Sequence, residues 1–264
     1  MRRKLLVTGG TGFIGSYVVN LLKNSNSIDL IIWDRERMGN FLLKGDRRRT
    51  LNLVQPDIVL HLAWCTASGN DSKMTGAHDI WLHATLQFID ECLHENIWFI
   101  NAGSSAENNG HYLRNSPYGE AKSQIKNFLL KKMNVNSITQ MEMQYVFSLD
   151  DKRPSVLKHF IESENFIMSQ LLDPGKKFDF IAVEDVVSGI STIIKNDILG
   201  LVYLGSGNLR SLEQFIHTAN KILNRQIMPE KIFQCSESVL QPKELTSVGW
   251  AAGYTSSFFI NLSQ

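Results

Sequence analysis

The sequence is poor in cysteine: Cys65, Cys92 and Cys235 are its three thiols in 264 residues. Their number is odd and none stands at CxxC spacing, which argues against a disulfide framework or a zinc cluster. They read as reduced, mostly buried thiols. Neither sign of charge is in excess, with 27 Lys plus Arg against 26 Asp plus Glu and a net charge of +1. Without a basic field, nucleic acid and anionic membrane surfaces are not expected partners. No stretch approaches the ~18 apolar residues of a membrane span, and glycines interrupt the basic, apolar start MRRKLLVTGG before it resembles a cleavable signal. A cytoplasmic protein is expected. Repeats, low-complexity tracts and long linkers are missing too, so a second lobe would be interleaved with the first rather than strung after it.

What is present is the composition of a globular chain, 43% apolar and 20% charged, long enough for one large domain or a domain with a smaller lobe. Periodicity predicts strands at 4–8, 29–33, 57–62 and 98–102, alternating with helices at 13–23, about 80–96 and about 118–133. Continuous apolar runs such as IVLHLA fit strands covered on both faces. With this βα rhythm they predict an α/β fold, a parallel sheet between helices. Between 33 and 57 the pattern is weak, and the run Arg47, Arg48, Arg49 reads as a solvated loop or helix face. Farther on, a break falls at 150–154 and a turn at 173–175. Then come a strand at 178–182, a helix at 183–195, a strand at 201–204 and a helix at 211–224 with Ser211 as its N-cap.

The strongest chemical signal is TGGTGFIG at 8–15, directly after the first strand and opening the first helix. Gly9 and Gly10 permit the tight turn, Gly12 lets backbone approach a pyrophosphate, and Gly15 lets helix and strand pack closely. The helix N-terminus then offers unpaired N–H groups to the phosphates. Asp34 stands 19 positions after Gly15, close to the ~20 expected of an acid that hydrogen-bonds the adenosine ribose. This favours NAD, while Arg35 and Arg37 would suit the 2′-phosphate of NADP, which stays open.

These residues resemble the short-chain dehydrogenase/reductases, and within them the extended group, of NAD-dependent epimerase/dehydratase type, that acts on nucleotide-activated sugars. The likeness runs in order through TGGTGFIG, GD at 45–46, DIVLHLA at 57–63, GSSA at 103–106, YGEAK at 118–122 and DFIAVEDV at 179–186. It implies a Rossmann-type doubly wound parallel sheet over 1–147 and about 178–204, with a small interleaved substrate lobe over about 148–177 and 205–264. It also implies that Gly9, Gly10, Thr11, Gly12, Phe13, Ile14, Gly15, Asp34, Arg35, Asp46, Leu62 and Ala63 hold the dinucleotide, together with Tyr118 and Lys122. A homodimer through the helices at about 80–96 and 118–133 is implied as well; Trp81, Phe88 and Leu129 suit either that interface or intramolecular packing.

A tyrosine and a lysine four apart share one helix face, so the ammonium of Lys122 can sit beside the phenol of Tyr118 and favour phenolate, making Tyr118 a usable general acid or base. By resemblance Lys122 also holds the nicotinamide ribose, and Ser105, with Ser104 as fallback, steadies the substrate oxygen. His61 reads as a packed core histidine, no metal site is expected, and Cys65 has no base at recognisable spacing.

Departures from the family narrow the reaction. Its dehydratases carry Thr-Asp-Glu where this chain has Ser105, Ala106 and Glu107, so a 4,6-dehydratase is disfavoured. The sugar-reading region at 144–178 is short, and Trp64 follows HLA where the family prefers a small residue, crowding the nicotinamide or substrate edge. The expected activity is NAD(P)-dependent reduction of the 4-keto group of a nucleotide-activated (deoxy)sugar by Ser105, Tyr118 and Lys122. The alternatives are an epimerase using the same site with tightly bound NAD, and a non-catalytic dinucleotide-sensing protein.

Overall fold

A computed structural model of the chain describes residues 2–65, 75–109, 111, 113–134, 137–150, 158, 176–223, 237–238 and 241–260. The chain divides into two compact units, Met1–Glu142 with Ile193–Val202, and Met143–Thr192 with Tyr203–Gln264.

The first unit opens with β1 (Arg3–Thr8), α1 (Phe13–Leu22), β2 (Ile28–Ile32), α2 (Arg35–Met38) and α3 (Lys44–Val54). It continues through β3 (Ile58–His61), α4 (Thr75–His94), β4 (Trp98–Ala102), a 3-10 turn (Ser105–Glu107), α5 (Pro117–Leu130) and β5 (Ile138–Met143). With β8 (Gly200–Leu204) these strands form a six-stranded sheet in the order β2-β1-β3-β4-β5-β8. The pairs β1/β2, β1/β3, β3/β4 and β4/β5 are parallel. Parallel neighbours need crossovers, which the intervening helices supply, and both faces of the strands are covered: β3 and β4 are buried at every residue. The chain passes from β1 outward to β2 and then back across β1 to β3. The strand order therefore reverses between β1 and β3, the crevice where ligands settle in open α/β sheets.

The core of this unit gathers Leu6, Val59, Phe88, Ile89, Phe99, Ile125 and Leu129, with Trp81 packed against it. Phe88 and Leu129 are fully buried within one chain, so they say nothing for a homodimer. The weak pattern at 33–57 resolves into α2 and α3, and the arginine run is not all solvated. Arg48 and Arg49 lie outward, but Arg47 is 0% exposed, donating to both carboxylate oxygens of Glu91 (3.0 and 3.2 Å), to Gln87 Oε1 (2.6 Å) and to the Phe41 carbonyl (2.9 Å). A guanidinium can be buried only with such a full set of acceptors, and here the side-chain acceptors come from α4, some forty residues away in sequence.

The second unit holds β6 (Tyr145–Phe147), β7 (Lys177–Ala182), α6 (Val183–Lys195), β9 (Asn208–Ser211), α7 (Leu212–Ile222), β10 (Glu237–Ser238), α8 (Lys243–Thr246) and α9 (Gly253–Ile260). Its four-stranded sheet runs β10-β9-β7-β6, parallel at β6/β7 and antiparallel elsewhere. Phe147, Phe180, Phe215, Phe258 and Phe259 fill its core, with Phe180 and Phe215 stacked at 4.2 Å. The expected cap of α7 is present as a capping box: Ser211 Oγ accepts from Gln214 N, and Gln214 Oε1 from Ser211 N. The carboxylate of Asp185, in the first turn of α6, accepts from the backbone N–H groups of Tyr254 and Thr255 at the start of α9. Most of the sugar-reading region at 144–178, the turn at 173–175 and Cys235 lie outside the described residues. Among the described residues no helix is long and apolar enough to cross a membrane.

Candidate active site

The glycine-rich loop closes as the spacing predicts. Gly9 has φ +73°, and a Cβ there would lie 2.7 Å from Ala63 N; a Cβ at Gly15 would lie 2.0 Å from the Gly9 carbonyl oxygen. Neither position tolerates a side chain. Gly12 N donates to Gly9 O at 3.0 Å, and Gly12 caps α1 with no side-chain hydrogen bond. The loop is held against the end of β3, where Leu62 N donates to Thr8 O (3.1 Å) and Ala63 N to Thr8 Oγ1 (3.3 Å). Thr11, Phe13 and Ile14 complete the turn with exposed or half-buried side chains. A glycine-rich loop, an uncapped helix N-terminus and the sheet's switch point fit the pyrophosphate of a dinucleotide.

Asp34 stands at the end of β2, beside this crevice, and caps α2 by accepting from Glu36 N at 2.9 Å; Arg37 Nε lies 3.6 Å from its second oxygen. Arg35 opens α2 with an exposed side chain. Asp46 is turned onto its own chain, accepting from Asn40 N at 2.8 Å and pairing with Arg49 at 3.0 Å.

The second cluster lies where β4 ends. Ser104 is committed to the backbone: its Oγ accepts from Ala106 N (3.2 Å), while Glu107 Oε1 accepts from Ser104 N (3.3 Å). Ser105 sits one position on, half-buried, in a long 3.5 Å contact with His111 Nε2. His111 Nδ1 accepts from Leu113 N at 3.1 Å, which leaves the ring proton on Nε2, so the imidazole donates to Ser105 and the serine hydrogen is free to donate in turn. No spacing or motif in the sequence singles out His111.

α5 starts with Pro117 at its first position under a Ser116 cap, Ser116 Oγ accepting from Gly119 N. Its first turn carries Tyr118, half-buried, and its second Lys122, 5% exposed. Lys122 Nζ donates to the Ala102 carbonyl at 2.9 Å, lies 6.0 Å from the centre of the Tyr118 ring, and faces the Trp64 indole at 4.1 Å. Burial pulls this ammonium down to about 8, opposed by the charges of Glu107 and Cys65.

His61 is a core residue, fully buried between Thr8 Oγ1 (2.7 Å) and Thr85 Oγ1 (3.1 Å), and held neutral by burial. Cys65 does have an imidazole beside it: its Sγ lies 3.3 Å from His78 Nδ1, which also receives the Trp64 indole N–H at 3.2 Å. A ring nitrogen already accepting the indole proton is a poor base for the thiol. Among the described residues no group of three His, Cys, Asp or Glu side chains is placed to hold a metal ion.

Glu107 is buried against Gln140 Nε2 (3.1 and 3.0 Å), and burial pushes its carboxyl up to about 7, opposed first by Lys126. A carboxyl raised above its unfolded value favours the fold below that value and loses this contribution as pH rises towards 7. Glu107→Gln is therefore expected to gain about 2 kcal/mol over the parent between pH 5 and pH 8. Urea unfolding at the two pH values measures this; an equal difference at both would contradict it.

Residues 5–203 match the sequence profile of the NAD dependent epimerase/dehydratase family. The chain is 24% identical over 247 residues to a dTDP-6-deoxy-L-talose 4-dehydrogenase (NAD(+)) of Aggregatibacter actinomycetemcomitans, covering 82% of this chain and 90% of that one. Its fold is similar to that of dTDP-4-dehydrorhamnose reductase from Bacillus anthracis in complex with NADP, with TM-score 0.75, 13% identity and 99% of each chain covered. It is similar as well to that of Thermus thermophilus UDP-glucose 4-epimerase in complex with NAD, with TM-score 0.70, 18% identity and 94% of each chain covered. With its glycine loop at the sheet's switch point and its profile match over most of its length, the chain belongs to the NAD dependent epimerase/dehydratase family of extended short-chain dehydrogenase/reductases, enzymes that use a nicotinamide dinucleotide.

Proposed function

We propose that this enzyme reduces the 4-keto group of a nucleotide-activated deoxysugar at a site made by Ser105, Tyr118 and Lys122. The observation that carries the reading is Lys122: a lysine buried to 5% exposure, anchored by the Ala102 carbonyl at the end of β4, one helical turn from Tyr118. A lysine is seldom buried at the cost of its hydration without a task for its charge. The 4-dehydrogenase relative, though distant, supports chemistry at the same sugar carbon.

A bound nicotinamide dinucleotide supplies the hydride for such a reduction. The loop from Gly9 to Gly15 would hold its pyrophosphate, and Asp34 its adenosine ribose, which favours NAD. The Ser105 hydroxyl, with its oxygen facing His111, donates to the substrate carbonyl. Tyr118 gives up its phenolic proton as that oxygen gains charge, and the Lys122 ammonium stabilises the phenolate left behind until solvent returns the proton. Trp64, at the end of β3, narrows the space beside Tyr118, their ring centres 6.4 Å apart; a narrow site suits one-way transfer better than a sugar that must present both faces.

The epimerase alternative uses the same side chains with dinucleotide that stays bound. Nicotinamide absorbance against time, with NADH and NADPH in turn and a panel of 4-keto-6-deoxy nucleotide sugars, separates the two. Steady loss with one sugar, faster with NADH, is the expected result. Isomerised sugar without loss favours the epimerase, and neither change contradicts both.

A further inference from the structure

We propose that Trp64 is a positioning residue for Lys122: its indole, fixed in place by His78, is the wall against which the ammonium is carried within reach of Tyr118. The inference rests on the Tyr118 and Lys122 reading above, and three observations support it. First, the ammonium has three protons to place and the Ala102 carbonyl takes one at 2.9 Å. Among the described residues no carboxylate lies within ion-pair distance of Nζ. The indole face at 4.1 Å is therefore a further compensation for the buried charge, well inside the range in which an aromatic face attracts a cation.

Second, the indole is itself locked. Its Nε1 donates to His78 Nδ1 at 3.2 Å, the two rings lie within 15° of parallel, and His78 is 1% exposed. Trp81 packs on the cluster at 6.2 Å and Tyr118 edges it at 6.4 Å. An indole held at its N–H end and on its flank cannot turn its face from the lysine without breaking this part-buried hydrogen bond.

Third, the groups around Lys122 leave the indole a definite share of the balance. Glu107 from the 3-10 turn and Cys65 from the end of β3 favour the charged lysine, burial opposes it, His61 from β3 is neutral, and Tyr118 lies on the lysine's own helix. With Glu107 itself pushed towards neutrality by burial, the Trp64 face at 4.1 Å adds to what keeps the proton on Nζ. Without it the lysine deprotonates at lower pH, and the phenolate of Tyr118 loses its counter-charge.

The test compares Trp64→Leu with the parent and with protein carrying 5-fluorotryptophan throughout, which keeps the ring's shape and weakens its face. Two readouts are taken. One is the pH profile of kcat at saturating substrate. The other is the titration of the Lys122 Cε signal in ligand-free protein labelled with [13C]lysine, assigned by Lys122→Arg. Trp64→Leu is expected to move the alkaline fall of kcat and the Lys122 titration together to lower pH by about one unit. The fluorinated protein should shift the same way by less, and neither change should alter NADH affinity more than severalfold. If Trp64→Leu does not fold, the fluorinated protein alone decides. An unmoved Lys122 titration in folded protein would overturn the proposal. Absence of turnover in the parent, with the titration shifted as described, would instead overturn the functional reading and leave the role of Trp64 standing.

Discussion

Tyr118→Phe is expected to lower kcat about a thousandfold while leaving dinucleotide affinity within a factor of a few. The substitution removes one oxygen from a half-buried ring and leaves the ring contacts with Trp64 and His78 in place. What it removes, on the proposed mechanism, is the proton that the reduced carbonyl would receive, and general acid catalysis of this kind supplies about two to four orders of magnitude. In the proposed site dinucleotide affinity would come mainly from the loop after β1 and from Asp34, which belong to other elements. The variant should therefore lose kcat and kcat/KM together, the mark of an interaction made only in the transition state. Stopped turnover with preserved NADH fluorescence titration is the expected pair of results; full activity would remove Tyr118 from the mechanism.

The second large effect separates what two glycines do. A Cβ at Gly15 would sit 2.0 Å from the Gly9 carbonyl oxygen, 2.8 Å from Gly10 Cα and 2.9 Å from the Gly9 carbonyl carbon, all backbone. Gly15→Ala must push the loop off the helix, and we expect both lower thermal stability and loss of dinucleotide binding. Gly12 has φ −75° and ψ 179°, a conformation open to any residue, and its Cβ would meet only Gly9 O at 3.2 Å. Gly12→Ala should fold with little change in Tm yet bind NADH about a hundredfold more weakly, because the new methyl stands where backbone must approach phosphate. Equal losses of stability in the two variants would contradict this division of roles.

The same loop illustrates what could be read from sequence. TGGTGFIG needs only its own spacing and the strand before it, and YGEAK likewise carries its geometry in a four-residue step; both fold as their local pattern dictates. Features that depend on distant partners were illegible. Arg47 looks like one of three solvated arginines until α4 brings Gln87 and Glu91 to it. The strand β5 shows no strand pattern in sequence because ITQMEM mixes polar and apolar residues. Yet every residue of it is buried, Thr139 with Trp98 and Ile198, Gln140 with Asn101 and Glu107, and Glu142 with Asn108 and Lys126. A polar residue can sit in a central strand only when such partners exist, and periodicity carries no information about them. His78 and His111 escaped for the same reason: each gains its meaning from a side chain that only the fold brings beside it. The substrate-reading region was an inference from family likeness, and most of it lies outside the described residues.

Hydride delivery to the keto carbon of a nucleotide sugar is followed with reduced dinucleotide carrying deuterium at both positions of nicotinamide C4. After incubation with the 4-keto sugar that supports absorbance loss, the expected product bears a single deuterium at sugar C4, seen by mass spectrometry and located by NMR. Oxidised dinucleotide alongside a product with no deuterium at sugar C4 would contradict it.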